Sequence, residues 1–409
     1  MEMKLMTTLA IFTALIAPAI ADHTTRAFSN SSVGGFSLPL FAKQSPDHTI
    51  RRGTDGFLYL QHTHLIASAA NTTTTPIRPA QHPHCTSVHF GTGIGKHEYI
   101  LELDATAMMT WIQCVPCAPV ATQTGPLFDP DLSPSFQHVS NKVCTPPFIP
   151  DPATQRCLFH VTRLPGLSVK GFVSVDEYTR EDGHVIPRFF FGCAHETYNF
   201  DNINTYAGVL AFREFATQAA AARGLTRSSY CLFRDTNRRG FIRFGAEADV
   251  PHRPHYQTTR LLPPAAAAHG AHESAYHVSL AGVSLGGRRL DGVRPETFAH
   301  REDGQGECIV DLGTPLTVMV EAVWSDLERH GAERVQQAAY GFCVRATEVI
   351  KGRLLPMSLH FAREEEEEAT LMISPKQLLL MMDDGHYQND QHLHRVGKLF
   401  STGFPTRCN

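Results

Sequence analysis

With 409 residues, of which 42% are apolar and 19% are charged, the chain has the composition of a folded globular protein. Its length predicts two or more lobes, each with a core of its own. The 36 basic and 40 acidic residues give a net charge of -4, which excludes the strongly basic surface typical of proteins that bind nucleic acid.

Residues 1–21 have the pattern of a secretory signal peptide. Lys4 precedes an apolar run over residues 9–16, and Ala19-Ile20-Ala21 forms a small-x-small cleavage site. The apolar run is too short to span a bilayer, so we expect export and no membrane partner after signal removal. The ten cysteines therefore predict disulfides, whose pairing the sequence does not fix.

The rest of the chain predicts a mainly β protein with few helices. Residues 22–84 are rich in Ser, Thr, His and Pro, and we interpret them as a poorly structured leader or removable pro-segment. Apolar runs between Gly and Pro residues predict strands over residues 99–103, 110–113, 188–192, 208–212 and 276–285. The helix candidates are residues 214–224 and 321–330, the Pro-rich stretch 246–275 is a crossover, and the acidic run 364–368 is a solvated loop.

Two short stretches carry the candidate chemistry, one in each half. In each, an apolar strand-like run ends on an aspartate that is followed by small or hydroxyl residues. The first reads Asp104-Ala-Thr-Ala107 and the second Asp311-Leu-Gly-Thr314. Two carboxyl groups that face each other share one proton, so that one can activate a water while the other donates to a substrate carbonyl.

The order and spacing of further motifs resemble the plant nepenthesin-like branch of the pepsin-type aspartic peptidases, from about residue 88 to the C-terminus. These landmarks are Trp111 seven residues after Asp104, Cys114-Val-Pro-Cys117, Pro126-Leu-Phe-Asp-Pro130, Phe190-Phe-Gly-Cys193, Ser229-Tyr-Cys231, the run 276–287, and Lys398-Leu-Phe400 with Cys408.

The resemblance implies a bilobal acid-protease fold, with an N-terminal β lobe over residues 85–245 that carries Asp104 and a C-terminal β lobe over residues 276–409 that carries Asp311. It implies a monomeric hydrolase without cofactor or metal, in which the two aspartates act on a peptide or protein substrate in the interlobe cleft. It also implies delivery to the apoplast, the cell wall or the vacuole.

The chain departs from the family at both loops. The family has a hydroxyl residue after each aspartate, where this chain has Ala105 and Leu312, and we hypothesise that Leu312 packs over Ala105. Thr106 replaces a glycine, so we expect it to resist the loop geometry, and Ala107 lacks a hydroxyl that should hold the first carboxylate. The second loop keeps Gly313 and Thr314.

The flap and the C-terminal lobe also differ from the family pattern. Arg163 stands where the flap carries a tyrosine over the cleft. Facing the carboxylates, its charge would favour loss of the shared proton. The alternative is a solvent-facing arginine on a hairpin. The stretch after Cys343 is short for the family, and we therefore expect a shortened C-terminal lobe.

Two functions from different classes fit the sequence. The first is a secreted aspartic-type endopeptidase with weak activity, and the second is a non-catalytic relative that binds or inhibits another protein. We interpret Cys114 and Cys117 as structural disulfide cysteines rather than as a redox pair. Residues His82, His84, Cys85 and His89 could bind zinc, but they lie in an irregular stretch without a second ligand cluster.

Overall fold

The structure is a computed structural model, and its strands and helices cover both halves of the chain. It describes residues 36–42, 48–52, 58–62, 84–164, 167–180, 183, 185–198, 206–223, 225, 227–231, 239–248, 257–262, 275–299, 308–310, 316–317, 323, 342–343, 355–363, 367–374, 395–396 and 400–401.

Strands dominate the part of the chain that the structure describes. In the N-terminal half they are β1 (Phe36–Ala42), β2 (His48–Arg52), β3 (Leu58–His62), β4 (His84–Phe90), β5 (His97–Asp104), β6 (Trp111–Gln113), β7 (Gln137–His138), β8 (Ile149–Asp151), β9 (Arg156–Leu164), β10 (Leu167–Thr179), β11 (Val185–Tyr198), β12 (Gly208–Ala211), β13 (Ser228–Cys231) and β14 (Arg239–Phe244). In the C-terminal half they are β15 (Leu261–Leu262), β16 (Tyr276–Val278), β17 (Leu280–Leu285), β18 (Arg288–Arg289), β19 (Cys308–Val310), β20 (Leu316–Thr317), β21 (Phe342–Cys343), β22 (Met357–Ala362), β23 (Glu368–Ile373), β24 (Arg395–Val396) and β25 (Phe400–Ser401).

Helices are few and short among the described residues. The α-helix α1 spans Phe212–Arg223. Short 3-10 helices span Gly93–Gly95, Pro130–Leu132, Asn141–Val143, Gly245–Ala248 and Pro295–Phe298. The fold is therefore mainly β, as the sequence predicts.

Twelve strands of the N-terminal half form one sheet that places the first aspartate at its centre. The order is β13-β14-β1-β4-β5-β12-β6-β11-β10-β9-β8, and β7 pairs with β10. Strand β12 lies between β5 and β6, parallel to β5 and antiparallel to β6. Because Asp104 pairs with Ala211 in this register, the aspartate leaves the sheet where helix α1 begins.

The sheet buries apolar side chains on both faces, because its central strands alternate between two clusters. Leu101 and Leu103 join the larger cluster, which includes Phe212 and Phe215 from helix α1. On the opposite face of the sheet, Trp111 joins a second cluster that includes residues of β9, β10 and β12. Each fully buried side chain of this size contributes about 1.5–3 kcal/mol, so the first aspartate loop has a rigid support.

The strand that leads to the second aspartate belongs to a small sheet of the C-terminal half. Strands β15, β16 and β19 form this sheet, β18, β17, β22 and β23 form a second, and β20 with β25 and β21 with β24 form two-stranded pairs. Strand β19 pairs with β16 and ends at Val310, one residue before Asp311. A strand therefore leads into each aspartate, as the sequence predicts, while the shortening of this lobe stays a prediction.

The sequence identified most of the regular elements of the N-terminal half. The predicted strands over residues 99–103, 110–113, 188–192 and 208–212 lie within or overlap β5, β6, β11 and β12, and the helix predicted from residue 214 is α1. The predicted strand over residues 276–285 is divided into β16 and β17. Of the helix predicted over 321–330 only Val323 is described, and it is helical and buried. The crossover prolines and most of the acidic run lie outside the described residues.

One expectation about the leader is wrong. Residues 36–42 are not poorly structured, because they form β1 and pair with β14 over six residue pairs. Leu38 is 1% exposed and belongs to the main core. Leu38 lies in the apolar run Phe-Ser-Leu-Pro-Leu-Phe-Ala that forms this strand. Whether residues 22–84 are removed as a pro-segment stays a prediction.

Candidate active site

Asp104 ends β5 and is completely buried. Its Oδ1 accepts three hydrogen bonds from the loop that follows, from the Thr106 backbone N–H at 2.7 Å, the Thr106 hydroxyl at 2.8 Å and the Ala107 N–H at 3.1 Å. Donors from within one tight loop thus fix the orientation of the carboxyl group. A proton on this carboxyl would therefore have to lie on Oδ2.

This geometry corrects two expectations about the loop. Thr106 does not resist the fold, because the only described residues other than glycine with positive φ are Gln155 and Arg188. The hydroxyl that Ala107 lacks is supplied one residue earlier, by Thr106 itself. The threonine in place of glycine thus compensates for the alanine that follows it.

Ala105 is fully buried in the main apolar cluster. A hydroxyl residue at this position would need a hydrogen-bond partner in the core, and alanine removes that need. Leu312, which we expect to pack over Ala105, lies outside the described residues.

Trp111 begins β6 and is 6% exposed. It packs in a cluster with Met109 and Val209 of its own loop and sheet and with Phe159 and Val173 of the β9–β10 hairpin. Trp111 therefore links the Asp104 loop to the base of that hairpin, and its position is that of a supporting core residue.

Arg163 lies near the tip of the β9–β10 hairpin, in the last two residues of β9. The hairpin that the family uses as a flap is thus present, but the Arg163 side chain lies outside the part that the structure describes. Asp311, Gly313 and Thr314 are also outside the described residues. The structure consequently brings Asp104 and Trp111 into one lobe, and the pairing of Asp104 with Asp311 stays a prediction.

A half-buried glutamate that the sequence did not single out, Glu214, braces the start of β6. The Thr110 N–H and hydroxyl donate to Glu214 Oε2 at 3.1 and 2.8 Å, and the Thr110 hydroxyl accepts from the Ala211 N–H at 3.1 Å. Gln218 donates to the other oxygen of Glu214 and binds both the N–H and the C=O of Phe190. These hydrogen bonds thus connect helix α1 to β11 and to the end of β12, the strand in which Ala211 pairs with Asp104.

Burial raises the pKa of Glu214 to about 8, although hydrogen bonds from Thr110 and Gln218 act in the opposite direction. Glu214 therefore keeps its proton at neutral pH and loses it as the pH rises through about 8. The only sequence signal for this role is a glutamate between two buried phenylalanines in the first turn of the helix.

The disulfides differ from the expected role of Cys114 and Cys117. Cys114, which directly follows β6, bonds to Cys193 with a Cα–Cα distance of 5.4 Å, whereas Cys117 is a free thiol. The interpretation of Cys114 and Cys117 as a pair of disulfide cysteines is thus wrong for Cys117. Cys114 reaches Cys193 because β6 and β11 are adjacent strands, in which Ile112 pairs with Cys193.

Further cysteines confirm that the chain forms disulfides. Cys144 bonds to Cys157 with a Cα–Cα distance of 5.5 Å, and Cys231 is also in a disulfide. Cys308, three residues before Asp311 in the chain, is a free thiol whose pKa burial raises to about 11. No group of three or more His, Cys, Asp or Glu residues within the described ranges is placed to hold a metal ion. Within the same ranges, no helix has the length and apolarity needed to cross a membrane.

The role of the Thr106 hydroxyl can be measured by substitution. Thr106→Val keeps the shape and the backbone donor but removes the hydroxyl from Asp104 Oδ1. We expect it to lower the free energy of unfolding by about 1–3 kcal/mol, measured by urea denaturation, because a buried acceptor loses a partner. Thr106→Ser keeps the hydroxyl and should cost less than Thr106→Val. Equal costs for the two substitutions would contradict the role assigned to the hydroxyl.

The class of protein follows from the fold and from two domain families that match the chain. The family described as Xylanase inhibitor N-terminal matches residues 85–246, and the family described as Xylanase inhibitor C-terminal matches residues 275–387. The chain belongs to the plant branch of the pepsin-like aspartic protease family, as a divergent member.

Individual relatives support this assignment at low identity. Aspartic proteinase nepenthesin-2 of Nepenthes gracilis is 25% identical over 259 residues, which are 61% of this chain and 56% of the relative. Protein ASPARTIC PROTEASE IN GUARD CELL 2 of Arabidopsis thaliana is 29% identical over 247 residues, which are 58% of this chain and 49% of the relative. The matched region thus spans about half the length of these curated relatives.

Solved structures show the same fold. The crystal structure of edgp superimposes with a TM-score of 0.55 and 14% identity, over 91% of this chain and 87% of that one. Conglutin gamma from lupine seeds superimposes with a TM-score of 0.51 and 14% identity, over 88% of this chain and 85% of that one. At this identity the likeness concerns the fold alone.

Proposed function

We propose that the protein is an aspartic-type endopeptidase in which Asp104 and Asp311 together activate a water for peptide-bond hydrolysis. The observation that supports this most is the Asp104 loop, which buries the carboxyl group and holds Oδ1 with three donors. In the C-terminal half, strand β19 ends one residue before Asp311, which also supports the proposal. Gly313 and Thr314 would hold the second carboxylate, and Trp111 supports the first loop.

In the proposed reaction, one carboxylate of the pair takes a proton from the water while the protonated partner donates to the scissile carbonyl oxygen. The donors on Oδ1 keep Asp104 oriented while Oδ2 gains and loses the proton. We expect weak turnover, because Ala105 and Leu312 lack the hydroxyls that brace the pair in the family. Arg163 on the β9–β10 hairpin would further disfavour the shared proton if it faces the cleft.

The proposal extends to location and substrate. We propose that the chain is a monomer, that residues 1–21 direct it to the apoplast, the cell wall or the vacuole, and that residues 22–84 act as a pro-segment. Peptide or protein substrates would bind between the lobes. The 23 histidines would make the surface strongly positive in an acidic compartment.

An activity assay tests the proposed chemistry directly. The full chain is incubated with a denatured protein at about pH 4, a value near the unperturbed pKa of carboxyl groups, and new amino termini are counted. We expect slow cleavage that falls to background in both Asp104→Asn and Asp311→Ala. Cleavage that survives either substitution would refute the assignment of that aspartate, and the absence of cleavage by the unmodified chain would refute the endopeptidase.

A second candidate function is a non-catalytic protein that binds or inhibits another protein. The alanine buried at position 105 and the names of the two matching domain families favour it. Addition of the chain to a xylan-degrading enzyme tests this candidate. Dose-dependent loss of xylan hydrolysis, unchanged by Asp311→Ala, would favour the inhibitor over the peptidase, and unchanged hydrolysis would count against it.

A further inference from the structure

An aromatic ring with three cationic or titratable groups around it lies on the outer face of the N-terminal sheet. The Arg156 guanidinium sits 4.9 Å from the centre of the Phe172 ring. The rings of His138 and His195 contact the same phenylalanine, with centroid distances of 5.6 and 5.4 Å. We call these four residues the histidine-arginine face. It lies on strands β7, β9, β10 and β11, far along the chain from the Asp104 loop.

Arg156 has no described carboxylate within ion-pairing distance. The carboxylate that acts on the neighbouring His195 is Glu196, and this group is already paired with Lys170 at 3.6 Å. A guanidinium stacked on an aromatic ring keeps its in-plane N–H groups directed outward, where they can form a bidentate pair with a carboxylate. The arrangement therefore offers a preoriented cation with no carboxylate partner among the residues that the structure describes.

The two histidines are held in their neutral form. Burial, and then the charge of Arg156, lower the pKa of His138 to about 4, and burial lowers the pKa of His195 although its hydrogen bond to Pro116 raises it. His195 Nδ1 lies 2.8 Å from the Pro116 carbonyl oxygen and His138 Nδ1 lies 3.3 Å from the Ser174 hydroxyl. An anion bound beside Arg156 would offset the part of this lowering that comes from the Arg156 charge, while the larger effect of burial would remain.

The other titratable groups around the two rings do not supply that anion. Asp176, on the same face of β10, is buried and accepts a hydrogen bond from Ser135. The Cys117 thiol follows Pro116 in the loop after β6, and burial raises its pKa. Neither group is therefore placed as an exposed partner for Arg156.

A second cation and aromatic pair lies further along the same face. Lys170 is 5.5 Å from the centre of the Tyr198 ring, and Tyr198 is 39% exposed. Tyr198 pairs with Ser168, four residues from Phe172 on β10, which places the two aromatic rings roughly 13 Å apart along the strand. Lys170 pairs with Glu196 at 3.6 Å, but this ion pair is exposed, and an exposed pair is weak enough to exchange for a carboxylate of a ligand. Arg156 and Lys170 together therefore suit a ligand that carries more than one carboxylate.

We propose that the histidine-arginine face, extended by Lys170 and Tyr198, is a docking surface for an acidic protein segment, and that acidic pH strengthens the binding. Arg156 supplies a bidentate partner for one carboxylate and Lys170 a partner for a second. Arginine and aromatic side chains are the residues enriched at protein interfaces, which favours a polypeptide as occupant. Because binding stabilises the charged histidines, protonation of the histidines must equally stabilise binding.

Binding of poly-L-glutamate to the full chain tests this surface, measured by isothermal titration at low salt and at about pH 5 and pH 7, on either side of the ordinary histidine pKa. We expect at least about tenfold tighter binding at the lower pH, and weakening with added salt. Arg156→Gln should weaken binding at least about tenfold at both pH values. The matched control is Arg243→Gln, because Arg243 also stacks on a phenylalanine, Phe241, at 3.9 Å but on another strand.

His138→Gln separates the pH effect from binding itself. It should leave the affinity at pH 7 within about twofold and reduce the gain at pH 5. An unchanged pH gain in His138→Gln would refute the histidine coupling, and equal losses in Arg156→Gln and Arg243→Gln would refute the site. Polygalacturonate, a carboxylate polymer without peptide groups, is the comparison ligand. Tighter binding of this polymer, with the same dependence on Arg156, would overturn the assignment to a protein partner.

Discussion

Replacing Gly208 by alanine is expected to prevent the N-terminal lobe from folding. A Cβ atom at this position would lie 1.8 Å from the Trp111 carbonyl oxygen and 2.9 Å from the Ile112 Cα. Both are backbone atoms in a strand that pairs with β12, so neither can move without breaking the sheet. Gly208 also pairs with Leu101 of β5, three residues before Asp104.

The expected cost exceeds the range of about 0.5–3 kcal/mol that covers most single substitutions. Loss of the cooperative unfolding transition in urea, followed by circular dichroism, would show it. Gly183→Ala is the control, because Gly183 has a φ of +81° but no atom within 4 Å of the added Cβ. That substitution should cost only the backbone strain, about 1–2 kcal/mol. A Gly208→Ala chain as stable as the control would contradict the packing of β12 between β5 and β6.

Glu214 is expected to make the N-terminal lobe less stable as the pH rises towards 8. Its pKa is raised by burial to about 8 in the folded chain, so folding favours the protonated form. This contribution to stability is complete below the ordinary carboxyl pKa and is lost as the pH rises through about 8. His138, whose pKa is lowered to about 4, contributes in the opposite direction, because its stabilisation is lost as the pH falls below its ordinary value of 6.5.

The window from pH 6.5 to 8 therefore isolates Glu214 from His138. At about 1.4 kcal/mol for each pKa unit, the free energy of unfolding should fall by about 2 kcal/mol across this window. Glu214→Gln should remove most of this slope, whatever its effect on absolute stability. Glu247→Gln, a substitution at an exposed glutamate in the same half, should leave the slope unchanged. A slope that persists in Glu214→Gln would show that another group is responsible.

The regular elements of the N-terminal half were predictable because apolar runs between glycines and prolines fix where strands can lie. Strand β5 and helix α1 were found in this way. Strand β1 was missed for two reasons. Its apolar run lies in a Ser- and Pro-rich stretch, and its partner strand β14 lies about 200 residues later in the chain. Pairing between distant strands is not encoded in any local pattern.

The candidate site was predictable in its residues but not in its bonding. The motif located Asp104, yet Thr106 was judged by the residue type that the family carries there. Its hydroxyl takes over the role of the missing one at Ala107, which depends on a side-chain rotamer that no spacing rule contains. Glu214 was missed for a related reason, since a glutamate in the first turn of a helix ordinarily faces solvent.

The central claim is that the chain sets two carboxyl groups side by side, with Asp104 held by its own loop. A crystal structure of the mature chain at acidic pH tests it most directly through the distance between the Asp104 and Asp311 carboxyl oxygens. We expect a separation of about 3 Å, with the Thr106 hydroxyl still bonded to Asp104. Carboxyl groups more than about 6 Å apart could not share a proton, and that result would contradict the account.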